Sequence, residues 1–237
     1  MLAAGKEGAE QMHPQRCLVM FAKYPAPGKV KTRLSPHFPE EMIVRLYRAF
    51  IEDLLARLAH GDYEFRFAYH PPDREEDFRR DFGDNYTYLP QTGGQLGEKM
   101  AGAFRACFAE GFREVVLIGS DSPDLPREII GEAFGKLSDH GAVLGPADDG
   151  GYYLIGFRRE AFTARVFTGI TWGGRDVAAK TLAILAWEEK QVHILPVWRD
   201  IDEPADLAAL IAAGRKRDFT GSRTMACLHD YGLIAPA

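Results

Sequence analysis

Cysteine is scarce in this chain. Cys17, Cys107 and Cys227 are the only three among 237 residues, too far apart to suggest a disulfide framework, and no CxxC pair offers a zinc site. Cys17 falls in an apolar strand and Cys107 on an apolar helical face, so both read as core residues. The seven histidines show no short metal-binding spacing, and none is assigned a catalytic role. No apolar run approaches membrane-spanning length, and residues 1–10 are too polar for a signal peptide. These absences lead to the expectation of a cytoplasmic protein. An excess of basic charge is also missing: the formal net charge is −5, which argues against binding a nucleic acid polymer but leaves room for a local basic pocket. GxGxxG, Walker A and GxSxG are all absent. That speaks against an NAD-binding domain, a P-loop and ordinary α/β-hydrolase chemistry.

What is present is an alternation of strand and helix patterns. Apolar residues make up 46% and charged residues 27%, enough for a substantial core. Strands are expected at 17–21, 65–69, 87–89, 115–119, 142–144, 152–155 and 192–197. The strongest helix pattern runs over 40–58, where Ile43, Leu46, Tyr47, Phe50, Ile51, Leu54, Leu55 and Leu58 recur at three- and four-residue spacing. Further helices are expected near 98–108, after Pro126, near 176–188 and from Pro204 to about 213, with a short charged one within 73–84. The fold class is therefore α/β, a single-domain Rossmann-type sandwich with a mostly parallel central sheet and helices on both faces. Residues 1–15 read as a flexible lead-in, 16–214 as the domain, and 215–237 as a tail packed on the domain or against an interface.

Six segments carry candidate chemistry. The first strand runs into a stiff basic loop in which Ala22, Lys23, Gly28, Lys29, Lys31, Thr32 and Arg33 are suited to holding phosphates. Gln91, Gly97 and Glu98 belong to a glycine-rich entry to a helix, where backbone N–H groups could take an anion or a base edge. Asp121 ends the strongest central strand, where open α/β sheets place ligands, and is favoured as a ligand for Mg²⁺ or Mn²⁺ over a turn former. For Asp124, just before Pro126, helix capping is favoured. Asp148 and Asp149 either orient an acceptor or make a tight turn with Gly150 and Gly151. Asp200 and Asp202 alternate along extended backbone, so both face one side; one could complete the metal shell, while Asp202 could instead cap the helix at Pro204. Trp172 either faces an acceptor or packs into the core.

In order, these segments resemble the DUF2064 family of GT-A-like proteins, described as glycosyltransferases or nucleotide-diphospho-sugar transferases. The resemblance rests on the run from Phe21 to Leu34, on Gly94 to Met100, Gly119 to Leu125, Gly145 to Leu154, Thr168 to Trp172 and Asp200 to Asp206. Two departures are Lys99, where arginine is more usual, and Gly173–Gly174, where small hydroxyl residues are. The resemblance implies a GT-A-like nucleotide-binding transferase domain. It assigns Gly28, Lys29, Lys31 and Arg33 to phosphates, Asp121 to a divalent metal, and Asp200 or Asp202 to the same metal. The leading expectation is metal-dependent glycosyl transfer from a nucleotide-sugar to a small-molecule acceptor. A nucleotidyltransferase, joining an NTP-derived nucleotide to a small phosphorylated substrate, is the nearest rival. A non-catalytic nucleotide-binding regulator is the alternative of another class.

Overall fold

The computed structural model describes residues 15–214 and 219–235. The expected lead-in, apart from residue 15, lies outside them. Seven strands form one sheet in the order β3-β2-β1-β4-β6-β5-β7. They are β1 (Arg16–Lys23), β2 (Glu64–His70), β3 (Thr87–Pro90), β4 (Glu114–Ile118), β5 (Ala142–Pro146), β6 (Tyr152–Arg158) and β7 (Val192–Ile194). β1 to β4 are mutually parallel, and β5 is parallel to β7. Only β6 runs against its neighbours, because a short hairpin joins it to β5.

The period of two in β1 divides the core. Leu18, Met20 and Ala22 enter one hydrophobic cluster, whereas Cys17, Val19 and Phe21 enter the other. The first cluster lies under α1 (Glu40–Leu58), α2 (Glu75–Phe82), α4 (Arg127–Leu137), α6 (Pro204–Gly214) and α7 (Arg223–Asp230). The second lies under α3 (Leu96–Ala109) and α5 (Val177–Trp187). A sheet covered on both faces explains the unbroken apolar run of β4. Cys17 and Cys107 approach to 3.8 Å between sulfurs inside the second cluster, where the Cys107 contact and burial push the Cys17 thiol far up. Core packing is the role both thiols show. Among the described residues no helix is long and apolar enough to cross a membrane.

The expected strand over 192–197 is shorter, stopping at Ile194; Pro196 has no N–H to extend the ladder. The tail folds back as α7, capped by Ser222, and packs on α1. Its first N–H groups, those of Arg223 and Thr224, donate to the buried Asp53 carboxylate of α1 at 2.8 Å each. These two charge-assisted bonds are the buried polar anchor of the tail, beside the more exposed Arg45–Asp230 and Glu52–Arg223 ion pairs. Asp53→Ala should therefore cost about 2–4 kcal/mol in urea denaturation. A loss below about 0.5 kcal/mol, within ordinary surface-mutation scatter, would show that the apolar face of α7 docks without it.

Candidate active site

The basic loop is built by alternation. Val30 and Leu34 are buried in the core, while Lys29 before them and Thr32 and Arg33 between them are exposed. Gly28 takes a positive φ of 66° and donates its N–H to Glu40 at 2.8 Å, which ties the loop to the first turn of α1. Lys31 also has a positive φ, 45°, a conformation costing a non-glycine residue about 1–2 kcal/mol. The consequence is directional. Its side chain, 3% exposed, turns inward beneath the loop instead of outward toward solvent.

The Lys31 ammonium bonds Asp121 and, at 2.9 Å, Asp202 Oδ1, with the rings of Tyr47 and Phe50 5.9 and 5.7 Å away. Burial opposes its charge, but the two carboxylates outweigh that and hold its pKa above the ordinary lysine value. Burial likewise opposes ionisation of Asp202, and Lys31 reverses the balance, holding Asp202 below the usual carboxylate range. Asp200 behaves oppositely: burial, then repulsion from Asp121, push it up to about 7 despite a 2.6 Å bond from Ser122 Oγ. Between them Ile201 is buried and donates its N–H to the Asp121 carbonyl at 2.9 Å. That bond brings the late acidic segment alongside the end of β4.

Eleven of the predicted positions line one cleft of about 440 Å³: Ala22, Lys23, Lys29, Lys31, Thr32, Arg33, Gln91, Asp121, Asp149, Asp200 and Asp202. Gln91 is there for a structural reason, since its amide donates to the carbonyls of Ala22 and Ala68 and pins β1 to β2. Arg33 lies 3.8 Å from Asp202 and Glu203. Asp149 accepts from the Gly151 N–H at 2.8 Å within the β5–β6 turn.

Gly28, Gly97, Glu98 and Asp148 are not among the lining residues. Glu98 caps the Gly94 N–H at 2.7 Å, and Gly97 is small because the Phe167 carbonyl and the Trp172 indole press on it. Asp148 pairs with Arg199 at 2.9 Å. Gly150, at φ 92°, has no room for a Cβ against the Arg175 carbonyl, so its glycine serves packing within the turn. Two expected caps also differ. Asp124 accepts from the Trp198 indole at 3.0 Å, and α4 has no side-chain cap. Asp206 accepts the N–H groups of Asp202 and Glu203, which leaves the Asp202 carboxylate for Lys31.

Tyr47, Ser120 and Ser122 were not singled out from sequence. Tyr47 shares a 2.7 Å hydrogen bond with Ser120 and accepts the Lys23 N–H; burial and Asp121 push its phenol up to about 12. A hydroxyl on an otherwise apolar helix face was the available signal. Trp172 lines the cleft beside Tyr152, its ring centroid 6.3 Å away, so it both packs on Gly97 and borders the open space.

A mostly parallel sheet flanked by helices, with a cleft at the carboxyl ends of its central strands, places this α/β protein in the GT-A-like class. The chain belongs to the DUF2064 family, "Uncharacterized protein conserved in bacteria", whose model matches residues 54–174, just over half of its length. A solved structure from Desulfovibrio desulfuricans G20, described as a "putative nucleotide-diphospho-sugar transferase", is 39% identical; the match covers 92% of this chain and 96% of that one with a TM-score of 0.89. Two more distant structures share the fold. Molybdopterin-guanine dinucleotide biosynthesis protein A from Archaeoglobus fulgidus is 15% identical, over 85% and 100% of the two chains, with a TM-score of 0.54. Rv0371C from Mycobacterium tuberculosis H37Rv, solved in complex with manganese, is 16% identical over 84% and 99%, with a TM-score of 0.50. No curated protein matches the chain.

Proposed function

We propose that this chain is a metal-dependent nucleotide-diphospho-sugar transferase, moving a glycosyl group from an NDP-sugar to a small-molecule acceptor in the cytoplasm. The observation that carries this reading is the meeting, in one cleft, of the basic loop after β1 and the acids after β4 and β7. The 39% identical relative supports the same class.

Lys29 and Arg33 would receive the diphosphate oxygens, as exposed cations on a loop whose apolar residues fix it to the core. Lys31 positions Asp121 and Asp202. The donor set suits Mg²⁺ or Mn²⁺: Asp121 and Asp200 are oxygen donors close enough that repulsion raises Asp200, a crowding that a divalent cation relieves. Among the described residues no three acids, histidines or cysteines surround one metal position. Asp121 and Asp200 would therefore hold the ion together with substrate oxygens. Such an ion, when bound, neutralises charge developing on the leaving diphosphate. Asp149, on the β5–β6 side of the cleft, would orient the acceptor hydroxyl, with Asp148 holding the turn through Arg199.

One observation favours nucleotidyl transfer instead. Lys23 and Lys29 make no ion pair among the described residues, leaving charge enough for a triphosphate. A thermal-shift panel of NTPs and NDP-sugars with Mg²⁺, repeated on Asp121→Ala, tests both. Stabilisation by at least one NDP-sugar, weakened in the variant and followed by NDP release, is expected. Preference for NTPs over every NDP-sugar, with pyrophosphate released, would overturn the glycosyl reading. Binding without turnover would point to a regulator.

A further inference from the structure

Beside the β2 end of the cleft, next to its lining residue Lys23, lies a second basic group that the proposed reaction does not use. Lys23 ends β1 and is the register neighbour of His70, which ends β2. Lys99, in the first turn of α3, reaches back so that its Nζ lies 3.4 Å from both ring nitrogens of His70. Two lysines and a histidine from three elements thus converge, with Lys99 in hydrogen-bond contact with the imidazole. Among the described residues no carboxylate lies within ion-pair distance of Lys23 or Lys99. The first-turn acid of α3, Glu98, is committed to the Gly94 N–H. Lysine at the positive end of a helix, beside two more basic groups, is electrostatically unfavourable unless an anion joins it.

Burial, then Lys99 and Lys23, hold His70 below the ordinary imidazole value, with Asp73 the opposing acid; burial and Lys23 do the same to Lys99. The Lys99–His70 hydrogen bond satisfies packing, but the repulsion between Lys23 and Lys99 is a cost that packing alone does not repay. β2 also lies two strands from β4 in the sheet, about 10 Å at ordinary strand spacing. An anion at His70 is therefore separate from the phosphate next to Asp121.

We propose that His70, Lys99 and Lys23 form a second anion subsite that takes a phosphoryl group beside the β2 end of the cleft. That group belongs either to the nucleotide or to the second substrate. The inference deepens the transferase reading and rests on it for what occupies the adjoining space. Because Lys99 and Lys23 disfavour the His70 imidazolium when no anion is present, phosphate should raise the His70 pKa. Binding then takes up a proton at His70 and tightens as pH falls into and below the ordinary imidazole range.

Histidine-ring NMR of the full chain, titrated with inorganic phosphate, tests this. Expected is a saturable shift of the His70 signals, with affinity about tenfold weaker in Lys99→Gln. In His70→Asn, whose fold is checked by its amide spectrum without phosphate, binding read from the backbone amide shifts of Lys23 and Lys99 should lose the pH dependence that the same amides show in the wild type. A Lys29→Gln/Arg33→Gln double variant should keep the His70 response, since it removes only the neighbouring loop. An added NDP distinguishes the sources: if NDP alone saturates the shift, the phosphoryl group is the nucleotide's. If phosphate still acts on the NDP complex, the group is the second substrate's. A His70 signal that phosphate does not move, or one lost in the loop double variant, overturns the subsite. If NDP-sugar with Mg²⁺ still stabilises the protein in that case, the transferase reading survives and this inference alone fails.

Discussion

Asp121→Asn is expected to reduce glycosyl transfer by at least about 10³-fold while leaving the protein folded. The side chain does two jobs that asparagine separates. It bonds the Lys31 ammonium, which an amide oxygen still does, and it supplies charge beside Asp200, which an amide does not. The backbone role of the residue, accepting the Ile201 N–H at 2.9 Å, is untouched by substitution. Stability should fall only modestly, since the charge lost opposite the buried Lys31 is partly offset by relief of the repulsion on Asp200. Steady-state kinetics against Mg²⁺ concentration, with a parallel thermal melt, make the measurement. Turnover within tenfold of the wild type would remove Asp121 from the metal site. A large fall in melting temperature would recast it as structural.

The parts of this molecule that follow a local period were legible in its sequence. The helix over 40–58 follows from the apolar stripe alone, and its bounds match α1. The parallel sheet follows from apolar strands separated by helices. Long-range partnerships were not legible. α7 is held by Asp53, some 170 residues away, and its own periodicity is weak. Asp206 releases Asp202 from capping, a choice between two nearby acids that composition does not decide. The basic loop shows the same limit. Its positive charge was visible, and so was its attachment to a core strand. Which of its cations faces ligand depends on a positive φ at a lysine, for which the residue type gives no signal.

That inward turn makes Lys31→Met the second large effect, and it should divide two quantities that usually fall together. Lys31 is the cation already seated between Asp121 and Asp202. Removing it leaves three carboxylates around one end of the cleft, so apparent Mg²⁺ affinity should tighten by roughly tenfold. Turnover should drop by about 10²-fold, because Asp121 and Asp202 lose the group that fixes their geometry. The stability cost should be limited to about 1–2 kcal/mol, since side-chain exposures of 43% and 39% let water screen the two acids. Lys31→Arg should not restore turnover: the enclosed slot beside Tyr47 and Phe50 fits a compact ammonium, and a planar guanidinium is wider. Metal titrations and kinetics on both variants decide the matter. If Lys31 were instead a direct phosphate ligand, Lys31→Met would chiefly raise KM for the nucleotide without tightening Mg²⁺. Tighter metal with slower turnover is the signature of a lysine that works through the acids.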